Sequence, residues 1–126
     1  MTVVMDTSAL MMPVECNVRV FEELDRLLGG HEPAVPRAVI EELEKLAAGN
    51  GKEAAAAGVG HDLAVERCQV LDHEESYADD ALVEVANEGR CEYVVTNDRD
   101  LRERLLGEDV PVISLRGQNK LAITQP

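Results

Sequence analysis

Short apolar runs that stop at polar or acidic residues, separated by stretches of helical period, constrain this chain more than any other feature. Thr2 to Met5 is one such run, rich in β-branched residues and halted by Asp6. It reads as a buried strand delivering a carboxylate at its carboxyl end. Asn17 is placed to cap a helix whose apolar positions Val18, Phe21, Leu24, Leu27 and Leu28 follow helical spacing, and Gly29-Gly30 stops it. Glu32 to Val35 is a brief extended segment, after which Pro36 opens a helix with Val39, Ile40, Leu43, Leu46 and Ala47 on one face. Gly49-Asn50-Gly51 breaks that helix, and Lys52 to Arg67 is alanine-rich and helical, with a kink or break left open at Gly58 and Gly60. Cys68 to Leu71 and Tyr93 to Thr96 read as strands, with Val110 to Ser114 as the last. Ala78 to Glu88 and Asp98 to Leu106 read as helices. Strands alternating with helices in this way predict a three-layer α/β/α domain around a mainly parallel sheet of about four or five strands. All of residues 1–126 fit one such domain, with 118–126 expected to be a loose tail.

Charge narrows the function classes. With 12 Lys and Arg against 25 Asp and Glu, the net charge is −13, which argues against a broad cationic face for nucleic acid. It leaves room for a nuclease, whose metal site is itself acidic. An acidic, lysine-poor and aromatic-poor composition is also what a salt-rich, halophilic cytoplasm favours, because solvated carboxylates keep a chain soluble where salt screens their repulsion. Cys16, Cys68 and Cys91 form no CxxC pair, which points to packed thiols in a reducing cytosol. The first residues lack a cationic region and meet Asp6 early, unlike a signal peptide, and no apolar stretch approaches the ~20 residues of a membrane span. A cytoplasmic protein with no membrane partner is expected.

Open α/β sheets build their sites at the carboxyl ends of strands. Asp6 and Asp98 follow strands, Asp79 and Asp80 begin a helix after one, and Glu42 lies nearer the apolar stripe of its helix than Glu44. Asp79 and Asp98 also suit simple helix capping, and Glu41 and Glu44 suit a solvated face. Asp6 is harder to explain that way, since a charge directly after a buried strand needs a partner or a metal. Carboxylates converging on one edge repel each other, and a divalent cation is the simplest stabiliser; oxygen-only ligands select Mg²⁺ or Mn²⁺. His31, His61 and His73 read as surface residues.

Four strings in order, Asp6-Thr7-Ser8-Ala9-Leu10, Glu41-Glu42-Leu43-Glu44-Lys45-Leu46, Ser76-Tyr77-Ala78-Asp79-Asp80 and Thr96-Asn97-Asp98-Arg99-Asp100-Leu101, resemble the motifs of PIN-domain nucleases over nearly the whole chain. The Tyr-Ala-Asp-Asp string and Val110-Pro111-Val112-Ile113 look most like the branch that processes ribosomal RNA in small-subunit assembly, with its archaeal relatives; VapC-type toxins are more distant. The resemblance implies an α/β/α fold and a Mg²⁺- or Mn²⁺-dependent endoribonuclease. Its catalytic and metal-binding tetrad falls on Asp6, Glu42, Asp79 and Asp98, with Asp80 and Asp100 as alternates. Thr7, Ser8, Thr96 and Asn97 would contact a ligand or the scissile phosphate.

The implied chemistry is hydrolysis of an RNA phosphodiester by a metal-activated water. Phe21, Tyr77 and Tyr93 are the only aromatic residues, so no base-stacking platform is expected and recognition falls to backbone and shape. Residues 97–126 balance five basic against five acidic groups while the rest of the chain carries the whole −13, so Arg99 and Arg102 are the expected RNA-facing cations. The expected partner is RNA, ribosomal or its precursor. A protein partner supplying specificity, a homodimer, a toxin paired with an antitoxin, and a non-catalytic docking factor are the alternatives left open.

Overall fold

The computed structural model describes residues 1–126. The elements run β1 (Thr2–Met5), α1 (Thr7–Glu15), α2 (Val20–Leu28), β2 (Glu32–Pro36), α3 (Arg37–Ala47), α4 (Gly51–Arg67), β3 (Gln69–Leu71), α5 (Ala78–Asn87), β4 (Tyr93–Val95), α6 (Arg99–Gly107), β5 (Val112–Arg116) and β6 (Lys120–Thr124). They form one six-stranded sheet in the order β3-β2-β1-β4-β5-β6, in which only the β5–β6 pair is antiparallel. β1 lies at the centre, where the order reverses: the chain first moves outward through β2 and β3, then crosses to β4 and β5 on the other side. Right-handed crossovers place the helices of these two excursions on opposite faces, giving three layers. Val3, Val4 and Met5 are wholly buried between them, as are Val94, Val95, Val112 and Ile113, which is why these strands read as uninterrupted apolar runs.

Asp6 sets the first turn. Its extended backbone and its carboxylate, which accepts the amide of Ala9 at 2.7 Å, cap α1 directly after β1. α1 then buries Ala9, Leu10, Met11 and Met12 in succession. α4 is a single continuous helix, and the break left open at Gly58 and Gly60 does not occur. Gly60 is there for close packing instead: a Cβ at that position would lie 2.7 Å from the Leu10 carbonyl oxygen of α1. Asn17 adopts a left-handed conformation (φ 54°) in the loop after α1, so α2 begins later than expected, at Val20.

Two further expectations are corrected. The sheet has six strands rather than four or five, because residues 120–124 are not a loose tail. Gly117 (φ 72°) turns the chain back, and Leu121, 1% exposed, anchors β6 in the core. At Leu121 the outward-facing polar groups of this edge strand are occupied by α2: Leu121 donates its amide to Glu23 (2.9 Å), and its carbonyl accepts from Arg26 (2.9 Å). The Arg26 guanidinium, which also donates to Glu23, and then the Leu121 amide hold the Glu23 carboxyl down at about 2. The histidines are not surface residues either. The His31 side chain is only 5% exposed, and His73 accepts the Ala38 amide at the start of α3 through Nε2 at 3.0 Å. His61 is partly buried and meets Glu44. The three cysteines are free thiols, and burial pushes those of Cys68 and Cys91 up to about 12 and about 11. No helix is long and apolar enough to cross a membrane.

Candidate functional site

The reversal of strand order leaves a crevice where β1 and β4 diverge into different helices, at their carboxyl ends. Asp6 leaves β1 there, and Thr96, Asn97 and Asp98 leave β4 beside it. A network of hydroxyls joins the two exits. Ser8 donates to both carboxylate oxygens of Asp6 (2.8 and 2.9 Å) and accepts the amide of Asn97 at 2.9 Å. Thr96, wholly buried, donates to Asp6 Oδ2 and accepts the Asp98 amide at 3.0 Å. Asp98 in turn caps α6 by accepting the amide of Leu101. Capping and convergence on the crevice are thus the same placement, because the first turn of a helix leaving the sheet edge is where both occur.

A cleft of about 310 Å³ opens over this network, lined by Asp6, Thr7, Ser8, Met11, Glu15, Glu42, Leu46, Glu53, Asp79 and Asp98. All four tetrad carboxylates therefore line one cleft, delivered by four separate segments. Glu15 and Glu53 join them and were not anticipated. Glu15 falls two helical turns beyond Thr7 and one beyond Met11, so the signal was there once α1 is recognised. Thr7 contributes a buried hydroxyl that has no hydrogen-bond partner.

The remaining expected residues lie around rather than in the cleft. Asp80 faces away, ion-paired to Arg104 at 2.8 Å and lining a different hollow with Glu84 and Asn87. It directly follows Asp79, and one step along a helix is about 100° of rotation. Asp100 and Asn97 are exposed on the rim, and Arg99 is exposed and paired with Glu103 at 3.3 Å. Arg102 is partly exposed with no carboxylate partner, its backbone amide closing the first turn of α6 onto Asp98. Glu41 lines a neighbouring hollow, and Glu44 meets His61.

Electrostatics single out two carboxylates. Asp6 is 4% exposed, and burial pushes its carboxyl from 3.8 to about 7 against the opposing hydrogen bonds of Thr96, Ala9 and Ser8. Asp79 is raised as well, first by burial and then by the charges of Asp98 and Glu42. Desolvation therefore leads at both positions, with the mutual repulsion expected from the sequence second at Asp79 and last at Asp6. The donor set suits a hard divalent cation: the lining holds carboxylates and hydroxyls, with no Cys or His. As placed, no three of these groups crowd tightly enough to hold an ion by themselves.

Comparison with known proteins agrees with this fold. A family model described as a PIN like domain matches residues 3–118. Ribonuclease VapC4 of Methanocaldococcus jannaschii is 30% identical over 119 residues, covering 90% of this chain and 89% of its own length. The PIN domain endonuclease Utp24 superposes with a TM-score of 0.79 at 27% identity, covering 99% of this chain and 92% of that one. VapBC2 from Rickettsia felis, solved with a DNA fragment from its promoter, shares the fold with a TM-score of 0.66 at 13% identity, covering 92% of this chain and 100% of its own.

Proposed function

This chain belongs to the PIN-like domain family, and on that premise we propose that it is a Mg²⁺- or Mn²⁺-dependent endoribonuclease acting in ribosomal RNA processing and small-subunit assembly. The observation that carries the proposal is the convergence of Asp6, Glu42, Asp79 and Asp98, from four segments far apart in sequence, on one cleft at the carboxyl edge of the sheet. The similarity to a ribonuclease and to an endonuclease over most of the chain supports nuclease chemistry. The rRNA-processing role rests on the Tyr77-Ala78-Asp79-Asp80 and Val110-Pro111-Val112-Ile113 strings, which resemble that branch.

Asp6, Asp79, Asp98 and Glu42 are the residues that would hold the cation. When bound, it supplies a water of lowered pKa and neutralises charge gathering on the phosphate oxygens. The chain's own contribution is orientation. Ser8 and Thr96 point their protons at Asp6, leaving it an acceptor of fixed aim, and each hydroxyl is pinned by a backbone amide from the β4 exit. Asp98 is fixed by its cap on α6. The unpartnered hydroxyl of Thr7 is a group the resting protein leaves available to a ligand or to the scissile phosphate. With its carboxyl pushed up to about 7, Asp6 binds a proton in competition with metal, so metal loading should strengthen as pH rises through the neutral range.

The test is cleavage of an end-labelled precursor rRNA with Mg²⁺ or Mn²⁺ against EDTA, with Asp6→Asn as the control. Metal-dependent cleavage leaving 5′-phosphate and 3′-hydroxyl ends, lost in Asp6→Asn, is expected; equal cleavage by the variant would remove Asp6 from the site. The likeness to ribonuclease VapC4 favours one second reading, a toxin ribonuclease. It predicts that expression arrests growth and that a small inhibitor is encoded beside the gene, neither of which the processing role requires.

A further inference from the structure

The chain's most exposed aromatic ring belongs to the residue two positions before Asp79, one of the carboxylates that line the cleft. Tyr77 is 77% exposed, whereas Phe21 and Tyr93, the other two aromatic residues, pack against the core. Tyr77 caps α5, so it sits two residues before Asp79 in a rigid setting, its carbonyl accepting the Ala81 amide at 2.9 Å. On its other side, Ser76 lines the hollow that holds Arg37 and Glu41, next to the cleft of Glu42. The charge around the cleft is uneven. Along α1 and α4 it is walled by Glu15 and Glu53, which repel a phosphodiester backbone. Cations to compensate are few, since seven of the twelve Lys and Arg side chains are already in ion pairs with carboxylates.

Resting on the nuclease reading of the site, we propose that Tyr77 is a base-stacking residue. A single-stranded RNA segment leaves the cleft on the α5 side, and the base of a nucleotide flanking the cleaved linkage lies on the Tyr77 ring. A protein with little positive charge to spend on phosphates gains binding through an uncharged contact that salt does not screen, and every base offers a π-face to it. Stacking needs an unpaired base, so the contact selects single-stranded or bulged RNA over duplex. The proposal departs from the expectation that the chain has no stacking platform: three aromatic residues are too few for a sheet of them, whereas one exposed ring serves one nucleotide.

The experiment measures binding of a fluorescein-labelled single-stranded 12-mer RNA by anisotropy, with Mn²⁺ present, in the non-cleaving Asp6→Asn background. Adding Tyr77→Ala should weaken affinity roughly five- to a hundredfold, the range found for losing one stacked base. Tyr77→Phe should restore it, because stacking uses the ring and not the hydroxyl. Val65→Ala, which removes another exposed apolar side chain far along α4, should leave affinity unchanged. Duplex RNA of the same sequence should bind more weakly and be insensitive to Tyr77→Ala. Unchanged single-strand affinity in Tyr77→Ala, while the wild type still cleaves RNA, overturns the stacking role and leaves the nuclease reading standing; it would assign the exposed ring to a protein partner. Failure of the wild type to cleave or bind any RNA overturns both.

Discussion

Asp6→Asn measures what it costs this fold to bury a carboxylate at its centre. The surroundings push the Asp6 carboxyl from 3.8 to about 7, with burial the largest cause. A folded-state pKa above the unfolded one means that the folded protein holds the proton more tightly. The stability traceable to Asp6 is therefore fully present below pH 3.8 and is lost progressively up to about 7. At about 1.4 kcal/mol per pH unit the whole window amounts to about 4 kcal/mol, of which about 3 falls between pH 5 and pH 8. Asparagine does not titrate there. The stability difference between Asp6→Asn and wild type, measured by urea denaturation in EDTA, should thus move in the variant's favour by about 3 kcal/mol from pH 5 to pH 8. In thermal melts the gap should shift by roughly ten degrees for a domain of this size. Comparing the two proteins cancels the titrating groups that do not interact with Asp6, leaving Asp79 as the one coupled neighbour. Adding Mg²⁺ at pH 8 should raise the wild-type melting temperature and leave the variant's alone. A difference that stays flat from pH 5 to pH 8 would show that the Ser8, Thr96 and Ala9 donors keep Asp6 ionised despite its burial, and would refute the desolvation argument.

The two glycines inside α4 should respond with opposite signs: Gly58→Ala, with nothing within 4 Å of its added methyl, should stabilise by about 0.5–1 kcal/mol in chemical denaturation. Gly60→Ala meets the Leu10 carbonyl at 2.7 Å and should destabilise by about 1–3 kcal/mol. Asp79→Asn should lower RNA cleavage by about a hundredfold or more, as expected for a group that orients a metal, whereas Asp80→Asn, which only releases Arg104, should change it by a few fold at most. The Glu23 carboxyl, held at about 2, contributes stability that is present above 4.5 and lost as pH falls toward 2. Glu23→Ala should accordingly lower the melting temperature at pH 7, and the gap to wild type should close on acidification; a gap independent of pH would mean that the contact with Leu121 is made without the charge.

Most of the fold was readable because its strands are buried on both faces and its helices punctuated by Gly and Pro. β1, β2 and β4 emerge within a residue of their expected ends. α1 was not, since Ala9, Leu10, Met11 and Met12 are all buried, which erases the polar stripe that reveals helical period. The end of the chain misled for a different reason: Leu121 and Ile123 alternate correctly for a strand, but a five-residue edge strand next to a turn carries too little apolar signal to outweigh the polar residues around it. At the site, Asp6 could be singled out because a charge after a buried strand is costly. Glu15 shares a face with Thr7 and Met11, but only once α1 is known to be a helix; Glu53 could not be found, because it reaches the cleft through the packing of α4 against α1, and a sequence shows periodicity within a helix but not which helices touch. Tyr77 was visible as a residue, while its exposure was decided by the tertiary structure.

The occupied edge of β6 limits how this protein can be held by others. A sheet edge normally offers a partner a row of amides and carbonyls to which a strand can be added, whether wanted or not. Here Glu23 and Arg26 already fill the outward positions at Leu121, and the opposite edge, β3, is only three residues long. Strand addition is obstructed at Leu121 on one edge and starved of length at the other. Any protein that escorts this chain to its RNA must therefore recognise side chains on its helices and loops, a surface that can diverge from one relative to the next without disturbing the sheet that holds the carboxylates.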